Sequence, residues 1–69
     1  MTGIPHFEAL EIGKTYFETS SDYYLAKCIN IDTTIQNDGF NVYFKVATFE
    51  ITTKTGRKVE TINKKFYIN

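Results

Sequence analysis

The chain has 69 residues, eight Lys and Arg against eight Asp and Glu, and one cysteine. Two domains would leave neither with enough residues for a core, so a single domain over residues 1–69 is expected. The neutral total excludes the basic excess that drives strong non-specific binding to nucleic acid. A chain this short buries only about 60% of the surface its unfolded form exposes, so stability is marginal and each core side chain matters.

The lone Cys28 excludes an internal disulfide, the staple on which small secreted domains usually rely. Residues 1–13 are interrupted by Pro5, His6, Glu8 and Glu11 and do not resemble a signal peptide. No apolar stretch approaches the ~18 residues of a membrane span. These features predict a soluble cytoplasmic protein with no membrane contact. The neutral charge is unevenly distributed. Residues 1–40 carry Lys14 and Lys27 against six acids, a net of −4; residues 41–69 carry six bases against Glu50 and Glu60, a net of +4.

Composition favours strands, since Thr, Ile, Tyr, Phe and Val outnumber Leu and Ala. Residues 5–11 fit a short helical turn, with Pro5 at its first position, Gly13 ending it in a left-handed conformation, and Phe7 and Leu10 on one face; an irregular arm is the alternative. From Lys14 the period becomes two. Residues 14–19 read as a first strand and 19–22 as a polar turn. Residues 23–33 read as a second strand, in which Tyr23, Leu25, Ile29 and Ile31 alternate with Tyr24, Ala26, Cys28 and Asn30. Gln36-Asn37-Asp38-Gly39 is a turn, because Asn, Asp and Gly tolerate positive φ. Residues 40–53 form a third strand or a bent pair. Phe40, Val42, Phe44 and Val46 share one parity, Phe49 and Ile51 the other, which predicts a β-bulge near Ala47-Thr48. Lys54-Thr55-Gly56-Arg57 is a second hairpin turn. Residues 58–63 give a fourth strand and 65–68 a short fifth.

Four to five short antiparallel strands, one of them bent, predict an all-β fold closed into a small barrel, because closure removes bare edges. An SH3-like barrel suits the length better than an OB-like one, which usually carries more residues and an internal helix. The run Ile12-Gly13-Lys14-Thr15-Tyr16, the run from Asp22 through Asp32, and Val42-Tyr43-Phe44 resemble the opening strands of Tudor-like and other SH3-like domains over roughly half the chain. That resemblance implies the fold. Tudor domains often hold a methylated Lys or Arg in an aromatic cage, for which Tyr16, Tyr24 and Tyr43 are the available side chains; with no Trp and no matched cage positions, the ligand is not carried over.

No residue set assembles into recognisable chemistry. His6 with Glu8 or Glu11 lacks the three or four ligands a metal needs. Cys28 lies in the row of Tyr24 and Ala26, as a small core residue would, and Lys27 points to the opposite face. Asp32 and Asp38 suit turn chemistry, and the four glycines are isolated and form no phosphate loop. Neither an enzyme nor a cofactor or metal is therefore expected.

Eleven aromatic residues in so small a chain are more than its core needs. Phe17, Phe40, Phe44, Phe49 and Phe66 are the core candidates. Tyr16, Tyr23, Tyr43 and Tyr67 are expected near the surface, where Tyr can anchor an interface or stack on bases. Lys45, Lys54, Arg57, Lys58, Lys64 and Lys65, with Tyr43 and Tyr67 among them, match a footprint for single-stranded nucleic acid; solvated turns and charged edge strands explain the same residues without a ligand. The acidic residues Glu8, Glu11, Glu18 and Asp22 suit a basic partner. The leading expectation is a non-enzymatic module acting through protein–protein contacts, of the size of accessory or phage-type regulatory factors. Single-stranded nucleic-acid binding is the alternative. Self-association through an open edge strand, giving a homo-oligomeric structural component, is the third.

Overall fold

The computed structural model describes residues 3–17 and 24–68. The polar turn expected at 19–22, the end of the first expected strand, and Tyr23, Glu18 and Asp22 lie outside the described residues. Four strands follow in chain order: β1 (Thr15–Phe17), β2 (Tyr24–Asn37), β3 (Tyr43–Thr53) and β4 (Lys58–Ile68). They form one antiparallel sheet in the order β1-β2-β3-β4. The all-β expectation therefore holds, but the sheet is open. β1 and β4 are its two edges and no ladder joins them among the described residues. The molecule measures 40 × 20 × 20 Å. Among the described residues β1 pairs only with β2 and β4 only with β3 in the ladders, so the bare edges that closure would have removed remain.

The inner face of the sheet is covered by the N-terminal arm instead. Residues 7–9 form a 3-10 turn. Ile4, Phe7 and Leu10 pack on a core of Tyr16, Ala26, Cys28, Ala47, Phe49 and Ile51. Gly3 bridges in parallel to Phe17, so the arm also lines the outer edge of β1. Gly13, at φ +90°, turns the chain from the arm into β1 and donates its N–H to the Cys28 carbonyl at 2.7 Å. The expected helical turn survives only as a shorter 3-10 turn, with His6 and not Pro5 leading into it and Leu10 ending it, while the left-handed Gly13 belongs to a separate turn closed by the Lys14 N–H on the Glu11 carbonyl.

Both hairpins turn where expected. Asn37 accepts from the Gly39 N–H at 2.8 Å and donates to the carbonyls of Phe40 and Val42, while Asp38 accepts from the Phe40 N–H at 3.1 Å. These side chains satisfy a loop that has few backbone partners of its own. The second turn closes on Thr53, whose N–H donates to the Arg57 carbonyl at 2.9 Å and whose carbonyl accepts from the Gly56 N–H at 3.0 Å. Gly56, at φ +90°, supplies the left-handed residue of a three-residue loop.

The bulges fall elsewhere than expected. β3 pairs with β4 without a break from Tyr43↔Ile68 to Ile51↔Glu60, so β3 is regular across Ala47 and Thr48. Its change of parity is real, because Phe44 and Phe49 occupy opposite faces: Phe44 is buried on the outer face, against Tyr67, and Phe49 on the inner one. The irregularity lies in β2, where Cys28 opposes Phe49 and Asn30 opposes Thr48, leaving Ile29 as the extra residue. The extra residue lets Cys28 and Ile31 share the inner face, three positions apart, and it breaks the strict alternation read from the sequence. A second shift lies between Asp32 and Gln36, where Asp32 accepts from the Thr34 N–H at 2.9 Å. A third leaves Val59 unmatched in β4. The fourth and fifth expected strands are one, running unbroken through Lys64.

The core candidates are likewise corrected. Phe49 is fully buried, Phe44 is buried, and Phe17 and Phe66 are half-buried, but Phe40 is 80% exposed because it belongs to the β2–β3 loop and not to a strand. Tyr16, expected at the surface, is 2% exposed. It lies opposite Ala26, a residue small enough to leave room for its ring, and its hydroxyl accepts the Glu11 N–H at 3.2 Å.

Phe49→Ala removes the largest apolar side chain of the core, a change that typically costs about 3–5 kcal/mol, comparable to all the stability a core of this size supplies. The expected outcome is loss of the cooperative thermal transition by circular dichroism. Gly56→Ala meets no atom within 4 Å, so its cost is backbone strain alone, about 1 kcal/mol. Gly56→Asn is expected to cost less, as measured by the midpoint of urea unfolding.

Candidate functional site

The register sorts the candidate binding residues between the two ends and the two faces of the β3–β4 hairpin. Lys54, Arg57 and Lys58 surround the β3–β4 turn, and Lys58 lies 3.7 Å from Glu50. Tyr43 and Tyr67 are exposed at the other end of the same hairpin. Ten strand steps separate the two ends, about 33 Å at the usual rise. Lys64 and Lys65 project from opposite faces, Lys64 opposite Ala47 and Lys65 opposite Val46. Lys65 places its ammonium 4.8 Å from the Phe44 ring centre on the outer face. On the inner face Lys64 lies 5.6 Å from the Phe66 ring and Lys45 lies 5.3 Å from the Phe7 ring. Tyr16 is in the core and has no outward face to offer. Tyr23 lies outside the described residues. Lys54, Arg57 and Lys58 thus stand far from the tyrosines, whereas Lys45 shares the inner face with Tyr43 and Lys65 the outer face with Tyr67.

The charge asymmetry along the chain does not become two faces. Antiparallel pairing sets Lys27 opposite Glu50, and Glu50 also meets Lys58, so a base of the acidic half and an acid of the basic half are neighbours. Lys14 and Glu11 pair at 3.4 Å within the arm.

What the fold does bring together is apolar. Ile35, Phe40, Val42, Tyr43, Tyr67 and Ile68 are all exposed, and all belong to the end of the sheet formed by the β2–β3 hairpin and the last residues of β4. Tyr43 lies opposite Ile68, and Tyr67 opposite Phe44, with the Tyr67 and Phe44 rings edge to face at 6.0 Å. Phe40 is held out by the side-chain bonds of Asn37 and Asp38 that fix the loop. Sequence reasoning singled out the two tyrosines of this group. It missed Phe40 as a surface residue, because its parity matched Val42 and Phe44; the Asn37-Asp38-Gly39 signal just before it was the available clue that it lies in a loop.

Between the arm and this end is a cleft of about 380 Å³, lined among others by His6, Glu8, Lys45 and Phe66. No group of three or more His, Cys, Asp or Glu that could hold a metal ion occurs among the described residues. Cys28 is buried, and burial pushes its thiol above the ordinary value, partly offset by the backbone of Asn30. No helix among the described residues is long and apolar enough to cross a membrane. The sequence matches no family model, and no curated protein or solved structure is recognisably similar to it.

Cys28 is expected to resist a thiol-specific reagent such as dithionitrobenzoate in the folded chain and to react at once in denaturant. Rapid labelling without denaturant would place the thiol at the surface and contradict its burial.

Proposed function

We propose that this chain is a small non-enzymatic binding module that engages a protein partner through the apolar end of its sheet. One observation carries the reading: six large apolar side chains are exposed at one end of the sheet, and of them Tyr67 alone is seen to pack on a buried ring, that of Phe44. Scattered exposed apolar residues are normal in any protein, whereas a contiguous group calls for an occupant. The tyrosines and Phe40 are of the aromatic type enriched in interface cores, and a loop fixed by Asn37 and Asp38 presents Phe40 at little entropic cost on binding. A role as an accessory or regulatory factor in the cytoplasm fits such a module. The SH3-like and Tudor-like likeness adds no ligand to it, since Tyr16, one of the three cage candidates, lies in the core.

Single-stranded nucleic acid is a weaker fit, because the exposed tyrosines and the turn cations Lys54, Arg57 and Lys58 lie at opposite ends of the hairpin. Affinity capture with the tagged chain, followed by binding measurements with the purified captured protein, separates the two readings. Phe40→Ser is expected to weaken that complex by about 2 kcal/mol or more, the scale of an interface hot spot, while leaving the melting temperature nearly unchanged. Tyr67→Ser is expected to weaken it similarly and, because it uncovers Phe44, to lower the melting temperature as well. The Arg57→Glu/Lys58→Glu variant is expected to bind as the parent does. Tight, steeply salt-dependent binding of single-stranded DNA that this charge reversal abolishes would favour the nucleic-acid reading instead.

A further inference from the structure

We propose that the free edge of β4 pairs with β4 of a second copy of this chain, antiparallel about a twofold axis through Ile62, to join two four-stranded sheets into one. This inference is independent of the apolar end and concerns a different surface.

The two edges of the sheet are unlike. The outer edge of β1 is bridged at Phe17 by Gly3 of the arm. The outer edge of β4 runs for eleven residues with no strand beside it among the described residues. An edge of that length is a template for another strand unless something defends it. The defence here is selective. Glu60, Ile62 and Lys64 lie opposite Ile51, Phe49 and Ala47, so all three belong to the inner face. A charge at the edge of an otherwise apolar face repels an arbitrary incoming strand, which would have to cover it without neutralising it. A strand with the opposite charge at the matching position is admitted.

β4 itself is such a strand. A twofold axis perpendicular to the sheet at Ile62 sets Glu60 opposite the partner's Lys64, Lys64 opposite the partner's Glu60, Thr61 opposite the partner's Asn63, and Ile62 against its own copy. Directly opposed side chains lie about 4.5–5.5 Å apart at Cβ, within reach of an ion pair. Neighbouring registers fail. An axis at Thr61 sets Lys58 opposite the partner's Lys64, one at Asn63 sets Glu60 opposite the partner's Phe66, and one at Lys64 opposes the two Lys64 ammonium groups. Glu60 is exposed and makes no ion pair among the described residues, so it is available.

Sedimentation equilibrium of the full chain over micromolar to millimolar concentrations tests the pairing. The parent is expected to form dimers. Glu60→Lys and Lys64→Glu are each expected to weaken dimerisation about tenfold or more, because each turns two opposed pairs into like-charged ones. Combining the two substitutions is expected to restore dimerisation, with circular dichroism reporting the fold of each variant. A parent that stays monomeric throughout, single variants that dimerise as the parent does, or a double variant that does not recover would each overturn the proposal. Should a charge variant fail to fold, Ile62→Cys decides. Mild oxidation is expected to link it as a dimer, while Thr61→Cys, too far from its own copy for a disulfide, is not linked. Absence of the Ile62→Cys cross-link counts against the proposal in the same way.

Discussion

Everything in this fold follows from the need to cover one face of a single sheet with one short arm. Phe49, at the centre of β3, lies opposite Cys28 on one side and Ile62 on the other. A four-stranded open sheet has no second sheet to close over such a residue. The arm supplies the cover instead. Ile4, Phe7 and Leu10 pack on the inner face, and Phe7 meets Phe66 edge to face at 5.5 Å. The arm is short and the sheet is long. At the β2–β3 end the arm reaches as far as the Lys45 and Phe66 pair and leaves Tyr43, Tyr67 and Ile68 exposed beyond it. The exposed apolar end thus begins where the cover of the arm stops.

The parts of this arrangement legible in the sequence were those that local chemistry encodes. Asn37, Asp38, Gly39 and Gly56 marked their turns because positive φ and side-chain bonds to nearby backbone need no distant partner. Cys28 was recognisable as a core residue from its row with Tyr24 and Ala26. What could not be read depended on pairing. The Ile29 bulge is a relation between β2 and β3, and the parity change at Phe44 and Phe49 is not its trace. That change reflects two buried faces of a regular strand, with Phe44 covered locally by Tyr67 and Lys65. Tyr16 looked like a surface residue because a hydroxyl suggests water. The Glu11 N–H supplies its partner instead, and the small Ala26 opposite supplies its space.

The candidate site was legible only in part for the same reason. Interleaved Lys and Tyr along residues 43–67 look like one surface when distance is counted along the chain. In an antiparallel hairpin that stretch folds back on itself, so Tyr43 and Tyr67 come to one end, on opposite faces, and Lys54, Arg57 and Lys58 are carried to the other. The alternation of strand faces then divides Lys64 from Lys65. The same geometry dissolves the opposed charges of the two halves, since a meander sets β2 of the first half beside β3 of the second along their whole shared length. Neutrality, which began as a sum over the chain, becomes a property of neighbours such as Lys27, Glu50 and Lys58.

One charge arrangement is not neutralised in this way. Glu60 and Lys64 sit four residues apart on the inner face of an edge strand, with Ile62 between them. Within one chain the two are roughly 13 Å apart along the strand and contribute little to each other. Glu60 has no ion pair among the described residues and Lys64 meets only the Phe66 ring, and a carboxylate or ammonium at the rim of an apolar face costs solvation if anything covers it. They are stable where they stand only while the edge stays wet, or when the covering strand presents the same three residues in reverse order. A sequence that reads acid, apolar, base about Ile62 is its own complement under a twofold rotation, and the edge that defends this small open sheet against other strands is for that reason suited to a copy of itself.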